Sequence, residues 1–324
     1  LTPKKSSKLQ KLFSFFNTDC IAPKNEFCSN IVSDNLKKNS YDYIVIRYIQ
    51  NAIKCGITKG HNVIIDVDDL PEQQFLKIAE SSSYSILKRL YYFCKSKSAR
   101  KFTNKIQKNI YHSFLPNKSQ IKFQNSSYLP NIPFPHTRIE TEVKVDAGYD
   151  DSLMFIGLMS WAPNYNGVEY FLKEIYPSIL KSKPNIKFNI VGKGLQDDKV
   201  KSWSTIPGVN IKGFVKNIDD EYNKSKVVVV PIYEGAGSNI KVLEAMKKGK
   251  VTILSSFATR GFEHVLIDGK NTLIANDSKE FVAKVLLALS NDELNKKISC
   301  EAKQIISESY SFELFKNSVT DIII

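Results

Sequence analysis

Between Glu234 and Glu244 the sequence reads EGAGSNIKVLE. Gly235 and Gly237, either side of Ala236, let the backbone turn sharply or let a ligand lie against the main chain. Ser238 and Asn239 can cap a helix or donate hydrogen bonds. Lys241 adds a mobile positive charge, and Glu244, three residues on, shares its helical face. A helix starting here presents unpaired amides and the positive end of its dipole to an anion. A carboxylate beside it can accept two hydroxyls of a diol. The stretch therefore offers a diphosphate cradle next to a diol clamp. From spacing alone, two plainer readings stay open: an ordinary glycine-rich turn of a parallel sheet, and a surface Lys241–Glu244 pair. Neither GxxxxGK[ST] nor GxGxxG is present. Gly192, Lys193 and Gly194 follow another apolar run and form a weaker turn of the same kind.

A second constellation is VIIDVDDL at 63–70, with Asp66, Asp68 and Asp69, preceded by Arg47 at the end of YDYIVIR. Asp68 can orient a hydroxyl. The trio also reads as a DxD metal site, or as residues that merely cap and hydrogen-bond. The four histidines have no metal-ligand spacing, and five scattered cysteines without CxxC point to a reducing compartment rather than to disulfides or zinc.

These residues need a scaffold that brings turns to one edge. SLMFIG, IKFNIVG, VNIKGF, KVVVVP and VTILSS are short β-branched runs between 152 and 256. Helical spacing separates them at 168–180, around 219–225 and at 238–248. Strands alternating with helices predict a parallel, doubly wound sheet, and runs as apolar as VVVV predict one covered on both faces. A loop-rich stretch is expected over 257–276, then a helix from about 278 with Asp277 and Glu280 at capping-box spacing. The first half reads as strands at 41–47 and 62–67, a helix over 85–106, a strand near 109–114 and an extended 126–135. Prolines after 129 mark a linker.

At 324 residues two domains are expected. The net charge of +13 is uneven: residues 81–138 hold 11 basic residues and no acidic one. That field favours an anionic partner (a nucleic acid, a lipid headgroup surface or a phosphorylated substrate), and a solvated basic face on a lysine-rich protein stays open beside it. No apolar run is long enough to span a bilayer, and the opening LTPKKSSKLQKLF lacks the apolar core of a secretory signal.

In order, FIGLMSWAPNYNGVEYFLKEIYP, IVGKG, VNIKGFV, the EGAGSNIKVLE segment and GFEHVLIDGKNTLIANDSKEF resemble the nucleotide-sugar domain of GT-B glycosyltransferases of the retaining family-4 type. The resemblance runs over 152 to about 313. It implies two Rossmann-like domains with doubly wound parallel sheets. The first, 1–149, would bind the acceptor and is expected to lack its first strand and glycine-rich loop. The second, 150–309, would bind the donor, and a helix at 310–324 would pack back on the first.

By this resemblance Glu244 binds the donor ribose. Gly237, Ser238, Asn239 and Lys241 face the diphosphate, and Phe214 and Val215 lie along the base. Gly157 and Asn164 belong to the loop and helix start facing the phosphates, near Gly192 and Lys193. Ala236 stands where relatives carry a first glutamate that holds the sugar, so Glu234 is the expected substitute. Trp161-Ala162-Pro163 replaces a basic residue many members carry. In the acceptor domain Asp68 takes the place of a histidine, with Arg47 and Asp69 beside it; Lys241, Asp68 and Asp69 are the expected catalytic group.

The implied activity is transfer of a hexosyl-type sugar from a nucleoside diphosphate sugar to a hydroxyl, with retention, in bacterial cell-surface polysaccharide synthesis. The domains would close on the donor to exclude water. No metal or other cofactor is expected. Partners would be the donor, a lipid-linked or saccharide acceptor and an anionic membrane surface met by the basic segment Lys88–Lys108, with no nucleic acid. The location would be cytoplasmic, peripheral on the inner face of the membrane. The alternatives are a GT-B nucleotide-sugar enzyme of 2-epimerase type, whose acid/base set the lone His264 does not supply, and a polyanion- or nucleic-acid-binding protein without transferase activity.

Overall fold

The computed structural model describes residues 14–80, 84–133, 151–235 and 238–324. The chain divides into two compact units, Leu1–Pro130 with Phe315–Ile324, and Asn131–Leu314. Nearly all of the expected linker lies outside the described residues.

The first unit holds strands β1 (Ile44–Arg47), β2 (Gly60–Asp66), β3 (Ile110–Leu115) and β4 (Ser126–Tyr128), all parallel and in sequential order. Its helices are α1 (Glu26–Lys38), α2 (Ile49–Cys55), α3 (Pro71–Glu80) and α4 (Ile86–Lys108). The alternation along β2 explains the packing. Val63 and Ile65 join Ile49, Ile53 and Ile106 on one face. Ile64 turns to the other and meets Phe114 and Leu129, where Phe315, Val319 and Ile322 of the last helix (Phe312–Ile323) pack against it. A strand covered on both faces needs a continuous apolar run, as the sequence has there.

The second unit holds β5 (Ser152–Ile156), β6 (Lys187–Val191), β7 (Val209–Gly213), β8 (Val227–Val230), β9 (Val251–Ser255) and β10 (Leu273–Ala275). They form one parallel sheet in the order β10-β9-β8-β5-β6-β7. The order reverses between β5 and β8, which opens a crevice at the carboxyl ends of those two strands. Its helices are α5 (Ala162–Tyr170), α6 (Tyr176–Ser182), α7 (Asp197–Ser204), α8 (Ile218–Asn223), α9 (Ile240–Lys247), α10 (Ser278–Ser290) and α11 (Asp292–Ser309).

Three expectations are adjusted. The helix expected from 168 starts at Ala162, with Pro163 in its first turn, and passes through a π-turn at Phe171–Ile175. β10 lies inside the stretch read as loop. Asp277 caps α10 by accepting from the Glu280 amide at 2.8 Å, but Glu280 reaches back to the amide of Asn276 rather than of Asp277, at 2.9 Å. Among the described residues no helix is long and apolar enough to cross a membrane.

Candidate functional site

The crevice between β5 and β8 is where the topology directs a ligand. Backbone hydrogen bonds tie the strand ends together: Gly157 donates to Val191 at 3.0 Å, Gly192 to Gly213 at 2.7 Å and Met159 to Lys193 at 2.8 Å. Gly192 has a φ of +134°, and a Cβ there would stand 1.9 Å from the Gly157 carbonyl oxygen. The turns after β5 and β6 thus touch main chain to main chain, which only glycine permits.

Lys241 enters from the first turn of α9, and its ammonium donates to the side-chain oxygen of Asn164 at 2.5 Å. Asn164 is buried and is held by its own amide, which donates to the Leu158 carbonyl at 2.9 Å. The ammonium also lies 4.7 Å from the ring centre of Phe155. A Cβ on Gly157 would be 3.0 Å from it, so the floor of the crevice is shaped by that missing side chain. Burial pushes Lys241 down to about 8, with Glu244 opposing. A cation desolvated against a neutral amide and an aromatic ring is poised for an anion.

Burial raises the Glu244 carboxyl above the usual range, and Lys241, Lys247 and Lys248 oppose that rise. Behind it Tyr222 is fully buried, and its proton is held well above the ordinary phenol range by burial, then by Glu244 and Asp219. The Tyr222 hydroxyl has no hydrogen-bond partner.

The EGAGSN segment is anchored at both sides of Ala236 and Gly237, which lie outside the described residues. Gly235 has a φ of +111°, and a Cβ on it would meet Pro163 at 2.7 Å. Its carbonyl accepts from Arg260 at 3.2 Å, and Arg260 lies over the Phe257 ring at 4.8 Å. Ser238 accepts from Asn131 at 3.3 Å. Asn239 is the N-cap of α9 but makes no side-chain cap; its amide donates to the Ala258 carbonyl at 3.1 Å. Glu234 is exposed and accepts from Asn166 at 2.5 Å.

The sequence-predicted residues therefore fall into three groups. Gly157, Asn164, Gly192 and Lys241 meet at the crevice floor. Gly235, Ser238 and Asn239 are fixed to neighbouring turns. Lys193 and Phe214 are solvent-exposed on the loops after β6 and β7, and Val215 packs partly on the core. Arg260 and Tyr222 escaped the sequence reading. Arg260 sits in the stretch read as loop and bonds a backbone oxygen, so no side-chain pattern announces it. Tyr222 looks like any apolar position of a short helix.

The first unit carries its own cluster. Arg47, ending β1, donates to Asp68 at 3.2 Å and lies 3.5 Å from Asp66, which ends β2. Burial is the main cause of the raised Asp66 proton affinity, with Arg47 opposing it. Tyr48 and Asp68 both have positive φ, 71° and 53°. Non-glycine residues rarely adopt that region, and such strain collects at working sites. Asp69 is turned to Gln74 at 3.4 Å. Arg47 thus bridges Asp66 and Asp68, and no group of three His, Cys, Asp or Glu that could hold a metal ion occurs among the described residues.

Comparison with known proteins bears on the fold that carries these residues. Residues 150–291 match the family model described as "Glycosyl transferases group 1". The chain is 23% identical over 292 residues to an uncharacterized 44.6 kDa protein in the cps region of Klebsiella pneumoniae, covering 86% of this chain and 73% of that one. A variant of S. aureus TarM, solved with fondaparinux, alpha-GlcNAc-glycerol and UDP, superposes with a TM-score of 0.66 at 17% identity, over 91% of this chain. The chain spans only 58% of the length of that TarM. Anabaena HepE in complex with UDP gives 0.63 at 12% identity, over 91% of this chain and 80% of its own. The chain thus has the GT-B fold of these structures, and its residues 150–291 are similar to the group 1 glycosyl transferases.

Proposed function

We propose that the chain transfers a sugar from a nucleoside diphosphate sugar to a hydroxyl acceptor, with retention of configuration, in the synthesis of a cell-surface polysaccharide. One observation carries this: Lys241, a desolvated ammonium at the switch point of the sheet, held by Asn164 next to the start of α9. When the bond between the sugar's anomeric carbon and the diphosphate breaks, both electrons leave with the diphosphate. Charge grows on its oxygens where Lys241 and the helix dipole already point, at no cost of reorganisation. The leaving oxygen takes the acceptor proton, so the acceptor oxygen bonds to carbon on the face the diphosphate vacates. Glu244 takes the ribose hydroxyls and Phe214 offers an exposed ring to the base. Arg260 and Ser238 hold the turn between them.

Asp68, oriented by Arg47, is the hydroxyl-binding group on the acceptor side. The positive charge comes from Lys241 and α9, so transfer proceeds without a divalent metal and persists in EDTA. TarM and HepE were solved with UDP, which makes uridine nucleotides the first probes. The basic residues of α4 favour an anionic membrane surface, on its cytoplasmic side, as the setting of the reaction.

Calorimetric titration with UDP, GDP, ADP and CMP tests the reading. Saturable binding of one nucleotide, lost in Lys241→Ala and Glu244→Ala, is the expected result. No binding at about 1 mM, or binding indifferent to both substitutions, would remove the donor site.

A further inference from the structure

The first unit contains a second concavity, remote from the Arg47–Asp68 edge. It has a volume of about 880 Å³ and is lined by Ser40, Tyr41, Asp42, Tyr43, His61, Asn62, Tyr111 and Ile323. Ser40 to Tyr43 precede β1, His61 and Asn62 begin β2, and Tyr111 begins β3. All of these lie at the amino ends of the strands, whereas Arg47 and Asp68 sit at or just beyond the carboxyl ends. Four residues of β1 separate the two edges, roughly 13 Å at the usual rise per residue.

The lining is specific in what it offers. Tyr43 and Tyr111 stand with ring centres 5.3 Å apart and planes tilted by 48°. Tyr111 is pinned by its hydroxyl, which donates to the Ile322 carbonyl at 3.3 Å. Asn62 donates to the Tyr41 carbonyl at 3.1 Å and so fixes the wall that carries the third tyrosine. Tyr41 is 48% exposed and Tyr111 40%. Three phenol rings thus face a concavity that also presents a carboxylate, an amide, an imidazole and a hydroxyl.

Among the described residues no lysine or arginine lines it, in a protein with 46 of them, and Asp42 repels anions. That lining disfavours phosphates, nucleotides and acidic lipid. One carboxylate without companions is no cation site. The polar side chains disfavour a purely apolar guest. What remains is a neutral, polyhydroxylated ligand whose C–H faces lie on aromatic rings and whose hydroxyls meet planar polar groups.

We propose that this tyrosine-lined groove is a second carbohydrate-binding site, which holds a neutral saccharide chain away from the site of transfer. Such a site would tether a glycan to the protein independently of the donor nucleotide. It goes beyond the transferase reading and does not depend on it.

The test uses the full chain and saturation-transfer difference NMR with neutral tetrasaccharides of glucose, galactose and N-acetylglucosamine. At least one is expected to bind in the millimolar range and to lose about tenfold in affinity in Tyr41→Ala and in Asp42→Ala. Tyr41 and Asp42 are exposed, so both variants should keep the wild-type melting temperature. The same binding is expected to survive Lys241→Ala, and UDP titrations are expected to be unchanged in Tyr41→Ala. No binding of any tetrasaccharide at about 10 mM would overturn the proposal. So would binding that persists in both groove variants, or that disappears in Lys241→Ala.

Discussion

Lys241 and Asn164 are 77 residues apart in sequence, yet the ammonium of one rests on the side-chain oxygen of the other at 2.5 Å. Each comes from the first turn of a helix that follows a central strand, α5 after β5 and α9 after β8. Because β5 and β8 are neighbours where the strand order reverses, those two turns converge. The pairing is thus a consequence of topology, and it leaves the cation with a dipole for a partner where a diphosphate would give it a full charge.

The first prediction concerns pH. Lys241 titrates near 8 in the folded protein against 10.5 for a free lysine. Between those values the unfolded chain binds more protons, so stability rises with pH across the window. A bound diphosphate restores the proton. Nucleotide affinity is therefore greatest below about 8 and falls by up to about tenfold per pH unit above it. Titrations at pH 8.5 in buffers of different ionisation enthalpy should show proton uptake on binding. Lys241→Met should lose about 10- to 100-fold in affinity and all of the uptake. A flat pH profile in the wild type would count against a neutralised Lys241.

Two glycine substitutions should separate architecture from binding. In Gly192→Ala the new Cβ meets a backbone carbonyl at 1.9 Å and a φ of +134°, so the loss should be about 2 kcal/mol or more of stability. In Gly157→Ala the nearest atoms are the ends of Asn164 and Lys241, at 2.6 and 3.0 Å, and these can move. Stability should change by less than about 1 kcal/mol while nucleotide affinity drops about tenfold. Urea denaturation and calorimetry read the two effects, and equal behaviour of both variants would contradict the assignment of Gly157 to the crevice floor.

The strands of both sheets were legible wherever they carried a β-branched run, from Ile44–Arg47 to Val251–Ser255. Leu273–Ala275 was not, because three residues show no alternation. Helices Glu26–Lys38 and Pro71–Glu80 went unread although their apolar residues recur at helical spacing, and they bury few side chains. At the crevice, Lys241 stood out because its neighbours in sequence share its chemistry. Its contact with Asn164 and the bond from Arg260 to Gly235 did not, since each depends on strand order or on a backbone oxygen.

On the acceptor side, Asp68→Asn keeps a residue that tolerates positive φ but removes the charge facing Arg47. Transfer to acceptor should fall by about 10- to 100-fold while nucleotide affinity stays the same. Asp68→Gly relaxes the backbone as well, so it should be as inactive in transfer yet no less stable than Asp68→Asn. Product formation measured beside a nucleotide titration decides; full transfer in both variants would leave Asp68 a structural residue only.

The last prediction rests on the outer face of α4. Ile86 and Leu87 are each 80% exposed, Leu90 57% and Phe93 41%. Lys97, Arg100, Lys101, Lys105 and Lys108 are exposed beyond them, while Ser96, Ala99, Thr103 and Ile106 turn inward. The apolar half can enter the acyl boundary and the basic half can meet lipid phosphates, each basic residue adding about 1 kcal/mol at low salt. The chain should co-sediment with vesicles containing phosphatidylglycerol, and far less with purely phosphatidylcholine vesicles. Leu87→Glu with Leu90→Glu should weaken binding about tenfold at any salt, because burial of apolar area is lost. Lys97→Glu with Arg100→Glu should instead flatten the salt dependence. Binding that ignores lipid charge, or that survives both pairs of substitutions, would mean that α4 meets something other than an anionic bilayer.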